Sequence, residues 1–164
     1  KRAYCLKTQP ATGETYPKSD LFNKAGMLMK TIEELRNELL KIGEQLGGGT
    51  RPNHYFFIPD QPDGVATPYL EIHGKEYHFI ISERGLEIQR KVTLSDDEIL
   101  YWFVESAVAG LASTYAAKHS SEREYREVYF RKEYSLMLSI KPEWATRKRK
   151  EITELLHSQR SEHR

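Results

Sequence analysis

Three short β-rich runs, PYLEIH, EYHFIIS and LEIQRKV, are separated by the dipeptides Gly74-Lys75 and Arg84-Gly85. That spacing leaves residues 66–93 little conformational choice. Runs rich in Ile, Tyr and Phe that are broken by two turn residues pair as antiparallel hairpins, so a three-stranded meander is expected over 66–93. With Gly74 and Lys75 as the first turn, Ile72 stands opposite Tyr77 and Leu70 opposite Phe79, which gives one apolar face. The same treatment of Arg84-Gly85 sets Ile81 against Ile88, Tyr77 against Val92 and Arg90 against Phe79. Glu87 and Lys91 then point outward, while Arg90 falls on the apolar side. A cation there needs a carboxylate, carbonyls or an aromatic face to offset its desolvation. Glu105, from a helix packed on the sheet, is the expected partner, so Arg90 is assigned to holding sheet to helix.

Ser95-Asp96-Asp97-Glu98 has the spacing of a capping box, with carboxylates in the first turn where the helix dipole favours them. The residues that follow, Ile99, Leu100, Trp102, Phe103, Val104, Ala107, Val108 and Leu111, leave little polar face and predict a central buried helix. Upstream, apolar residues at three- and four-residue steps predict an amphipathic helix over 25–46, stopped by Gly47-Gly48-Gly49. Prolines keep 51–68 in a loop with a short strand at HYFFI, and residues 1–24 form an irregular arm. Downstream a helix is expected over 122–139. Another starts at Pro142, with Trp144, Lys148, Ile152, Leu155 and Leu156 on its stripe and fraying from His157. The fold class is α+β: a three-stranded antiparallel meander packed against four or so helices, forming one domain over 1–164 with its helical part at 95–158. The first helix and the helix from Ser95 are placed on one face of the sheet, and Trp102 and Trp144 are assigned structural roles.

The 25 basic and 24 acidic side chains nearly cancel to a net charge of +1, so no global field draws in nucleic acid or anionic lipid. Cys5 is the only cysteine, which precludes an intrachain disulfide and fits a reducing cytoplasm. No run approaches the roughly 18–20 apolar residues of a membrane span, and KRAYCLKTQPATG lacks the apolar centre of a secretory signal.

Catalytic patterns are equally sparse. The histidines at 54, 73, 78, 119, 157 and 163 form no HExxH, and no CxxC exists, so neither metal nor cofactor is expected. His73 and His78 flank one hairpin but are placed on opposite faces. No GxSxG occurs, Cys5 has no neighbouring base, and GGGTRP lacks the ending of a phosphate loop. An enzyme is therefore not expected. The run TRKRK at 146–150 is the strongest nucleic-acid candidate. On a helix, however, its four cations fan around roughly 300°, with Arg147 pairing to Glu151 and Lys150 to Glu154, as in a solvated helix. A nucleic-acid-binding regulator that uses this basic helix is the alternative function.

The stretch EIHGKEYHFIISERGLEIQRKVT, then DDEILYWFVESAVAGLASTYAAKH and KPEWATRKRKEITELL, resembles the polymorphic-toxin immunity family numbered sixty-three. Tyr77, His78, Glu83, Arg84, Gly85, Glu87, Arg90, Thr93, Leu100, Tyr101 and Trp102 carry the pattern, which Trp144, Glu151 and Ile152 continue. The resemblance implies a cytoplasmic protein without enzymatic activity that binds and neutralises the toxin domain of its own system. That toxin is often a nuclease, and contact-dependent growth inhibition is one delivery route. Toxin contact is expected from Glu83, Arg84, Glu87, Asp96, Asp97, Glu98 and Glu105, with no membrane or nucleic-acid partner.

Overall fold

The computed structural model describes residues 28–162, with side chains through 159. The predicted arm at 1–24 lies outside that range. Helix α1 spans Ile32–Leu46 and starts seven residues later than the apolar pattern implied. Thr31 and Glu34 form a reciprocal capping box that fixes its start, satisfying two otherwise unpaired amides. Leu28, inside the predicted helix range, is 94% exposed. Leu35 and Leu39 are fully buried, each worth roughly 1.5–3 kcal/mol of apolar burial.

Strands β1 (Tyr69–His73), β2 (Glu76–Glu83) and β3 (Leu86–Thr93) form an antiparallel sheet in the order β1-β2-β3. The first hairpin has the expected register, with Ile72 opposite Tyr77 and Leu70 opposite Phe79. The second does not. A β-bulge beside Ile81 and Ser82 pairs Ser82 with Glu87 and Ile81 with Gln89, leaving Ile88 as the extra residue. Because side chains alternate, one extra residue exchanges the faces of everything beyond it. Tyr77 therefore meets Thr93, Phe79 meets Lys91 and Ile80 meets Arg90. Lys91 turns inward and Arg90 outward, the reverse of the sequence expectation.

Helix α2 (Asp96–His119) is the buried centre of the fold, capped by Ser95. It carries Phe103 at 5.0 Å and Trp102 at 6.0 Å from the Phe79 ring, so the sheet rests on it edge-to-face. Helix α3 (Tyr125–Ile140) packs on α2, and α4 (Pro142–Glu162) on α3. Helix α4 extends to Glu162, past His157 where fraying was expected to begin. Helix α1 packs against α2 and α3, and the chain entering it meets the sheet where the Tyr77 hydroxyl lies 2.9 Å from the Lys30 carbonyl.

The segment HYFFI is a turn, not a strand. It is pinned by two helical glycines. A Cβ at Gly43 of α1 would lie 2.5 Å from Pro52 and 2.7 Å from Phe56, and one at Gly110 of α2 would lie 2.8 Å from Tyr55. Phe56 and Ile58 are thereby drawn into the core. The loop returns to the sheet through a bridge between Val65 and Glu83.

Candidate partner-binding surface

Strand β3 is an edge strand, and six of its eight residues are exposed. Leu86 is 73% exposed, Ile88 59% and Val92 47%. The turn before it places two residues in the left-handed region, Arg84 at φ 51° and Gly85 at φ 81°. Two positive φ values match the twist of a two-residue hairpin. Glycine adopts them freely, whereas arginine does so at a cost of about 1–2 kcal/mol, so the strain at Arg84 sits on the exposed tip.

The outer sheet face carries a connected polar cluster. Arg90 donates through Nε and Nη2 to both oxygens of Glu87 at 2.8 and 2.7 Å, and through Nη1 to the His78 ring at 2.9 Å. Glu71 lies 3.5 Å from the same guanidinium. The Arg90 cation holds the Glu87 carboxyl below the usual carboxylate range. Arg90 is therefore paired, as anticipated, but within the sheet and not to Glu105. His73 and His78, placed on opposite faces by sequence, stack on this one face with ring centroids 4.4 Å apart. A two-residue turn pairs His73 with Glu76 and Glu71 with His78, which puts both rings on the same side. His73 also contacts Glu71 at 2.8 Å, and His78 contacts Glu76 at 3.3 Å. Among the described residues, no group of three or more His, Cys, Asp or Glu side chains is placed to hold a metal ion.

Glu83 and Arg84 remain open at the hairpin tip. The helical carboxylates predicted beside them are engaged within the chain. Asp96 accepts from the Tyr77 hydroxyl at 2.5 Å. Asp97 accepts from Lys141 at 2.6 Å and from the Trp144 indole at 3.3 Å. Glu98 receives a two-pronged contact from Arg147 at 2.6 and 2.8 Å, and Glu105 pairs with Lys148. Trp102 and Trp144 are buried in the core, at 8% and 5% exposed.

Sequence reasoning missed the network behind these pairs. Lys148, expected on a solvated helix, is 5% exposed and bonds to Glu105 and to Glu151, the latter at 2.9 Å. The predicted Arg147–Glu151 pair is present at 2.9 Å, as is Lys150–Glu154 at 3.9 Å. Tyr101 donates to Glu151 at 2.8 Å, beneath an Arg147 guanidinium 3.8 Å from its ring. Lys91 completes the inner side, 4.8 Å from the Phe79 ring and 4.7 Å from Trp102. Burial pushes its ammonium down, against the pull of Glu105. The signal for this network was present in the sequence, since Lys148 lay on the apolar stripe of α4 together with Trp144 and Ile152.

Among the described residues no helix is long and apolar enough to cross a membrane. The family model described as Immunity protein 63 matches residues 73–154, half of the chain, from the end of β1 into the last turns of α4. No curated protein and no solved structure matches the chain.

Proposed function

The chain belongs to the immunity protein 63 family, and from that premise we propose that it is the stoichiometric inhibitor of one cognate toxin domain. The toxin is of nuclease type and is neutralised in the cytoplasm of the cell that makes both, as in contact-dependent growth inhibition. The observation that carries this reading is the uncovered β2–β3 hairpin, where Leu86, Ile88 and Val92 stand exposed beside a prearranged charge cluster. Apolar side chains rimmed by organised polar groups are what a protein partner covers. On the outer sheet face Glu71 and Glu87 flank Arg90, and Glu83 stands exposed beside Arg84 at the β2–β3 tip, acidic groups that suit the basic cleft of a nuclease. Glu83, Arg84 and Glu87 form the proposed contact set. Asp96, Asp97, Glu98 and Glu105 support it from within by fixing α2 to the sheet and to α4. The whole chain, 1–164, acts as one domain in this reading.

The alternative, a nucleic-acid regulator using α4, has less support, because Arg147 and Lys148 are consumed by internal pairs. Co-expression of this chain should protect cells from the toxin domain encoded beside it and from no other. Glu83→Lys should weaken the purified complex by about tenfold, a change typical of a lost interfacial charge contact. Absence of any complex at about micromolar concentration would sink the proposal.

A further inference from the structure

Helices α3 and α4 flank an open groove of about 590 Å³ whose lining includes no residue of the sheet. Arg123, Arg126, Arg131 and Arg149 line it, all exposed. Between them lie Phe130, Tyr134, Ile152 and Leu156, each at least partly open to solvent. The one carboxylate in the lining, Glu127, is already held by Arg131 at 2.5 Å. Arg126 lies 5.5 Å from the Phe130 ring centroid and donates to Gln159. Arg123 and Arg149 have no carboxylate partner among the described residues. The TRKRK run thus divides by direction: Arg147 and Lys148 serve the interior, Lys150 pairs with Glu154, and Arg149 alone lines the groove.

We propose that this groove docks an acidic segment of the cognate toxin polypeptide, with carboxylates against Arg123 and Arg149 and an apolar side chain laid between Phe130 and Ile152. The inference rests on the immunity reading above. Guanidinium groups present a planar fork that matches carboxylates in bidentate geometry. Unpartnered cations around an apolar floor supply both steering and a desolvated anchor. A peptide fits better than a nucleic acid. Phe130 and Tyr134 offer ring faces, but Ile152 and Leu156 complete the floor with aliphatic groups on which bases do not stack, and the near-zero net charge supplies no field for a phosphate backbone.

The test is titration of the full chain against the purified toxin domain encoded by the neighbouring gene. Arg123→Glu/Arg149→Glu should lower affinity by about tenfold or more. Lys150→Glu, a single charge reversal outside the groove lining on the same helix, should change it by less than about threefold, whereas either groove reversal alone should exceed that. Circular dichroism should be the same for all three proteins, because these side chains are exposed. If wild-type chain and toxin form no complex, the immunity reading fails and takes the groove's ligand with it. If wild type binds and the double variant binds equally well, the groove inference alone is wrong. It is also wrong if a single-stranded RNA binds wild type and is lost in the double variant while toxin affinity stays unchanged.

Discussion

The Lys148 ammonium lies 3.7 Å from the Glu133 carboxylate, and both side chains are only 6% exposed. Glu105 and Glu151 approach the same nitrogen, so one cation meets three carboxylates between α2, α3 and α4, the third of them shared with Arg147. A buried ion pair is weak evidence of net stabilisation, because desolvation offsets much of the attraction. Removing Lys148 is different, since it leaves Glu133 and Glu105 close together without the cation between them. Lys148→Met should destabilise the fold by about 3–5 kcal/mol, measured as a lowered midpoint in urea. Adding Glu133→Gln should recover about 1 kcal/mol or more of that loss, because one fewer buried carboxylate is left unpaired. A Lys148→Met protein as stable as wild type would remove the network from any account of the fold.

The same cluster fixes how stability responds to pH. Burial pushes Glu151 and Asp97 up, but hydrogen bonds outweigh it, from Lys148 and Tyr101 to Glu151 and from Lys141 and Trp144 to Asp97. Both carboxyls therefore sit below their ordinary values. The unfolded chain takes up these protons at higher pH than the folded one, so this stability is present above the ordinary carboxylate range and is lost as pH falls through the folded values. Glu133 runs the other way. Burial holds it above its ordinary value in spite of Lys148, so its contribution declines as pH rises through the carboxylate range. Burial also pushes Lys148 down, yet Glu105, Glu151 and Glu133 leave it raised, so its contribution persists at neutral pH and is lost only on the alkaline side. Urea midpoints measured from about pH 3 to 8 should show an acid-side loss that Glu151→Gln flattens and Glu133→Gln steepens. Identical acid limbs in all three proteins would contradict this assignment.

The order of elements and the first hairpin were legible because they depend on local signals. Gly74, the Ser95 cap and the apolar run from Ile99 each dictate structure over a few residues. The second hairpin was misread for an equally local reason. Nothing in LEIQRKV marks Ile88 as an inserted residue, and a single bulge exchanged the roles of Arg90 and Lys91. Gly43 and Gly110 were silent as well. Their function is to admit Pro52, Phe56 and Tyr55 from a distant loop, which no helical pattern announces. At the candidate surface, the exposure of Glu83, Arg84 and Glu87 was legible because turns and edge strands expose charge. The inward roles of Asp97, Glu98 and Glu105 depend on partners some 40 to 50 residues away in sequence.

Tyr77 links three elements through one oxygen. It donates to Asp96 at 2.5 Å and lies 2.9 Å from the Lys30 carbonyl, joining β2 to the start of α2 and to the chain entering α1. Burial and the Asp96 carboxylate both favour the neutral phenol. Tyr77→Phe should cost about 1.5–3 kcal/mol, the range for a hydrogen bond to a charged group. The loss should be smaller in an Asp96→Asn background, where the acceptor is neutral. Equal losses in both backgrounds would show that packing, not this bond, explains the effect.

Arg84 offers a separation of stability from function. Its φ of 51° belongs to a region that asparagine tolerates better than arginine. The residue has no ion pair among the described residues to compensate, so Arg84→Asn should stabilise the protein by about 0.5–1 kcal/mol. If the hairpin tip meets the toxin, the same substitution should weaken the complex, because an exposed guanidinium at a protruding turn is a common interface anchor. Thermal melts and toxin titrations on the one variant read both effects. A variant that is stabilised and binds equally well would place Arg84 outside the interface, and a destabilised variant would mean that the arginine makes a native contact worth more than its backbone strain.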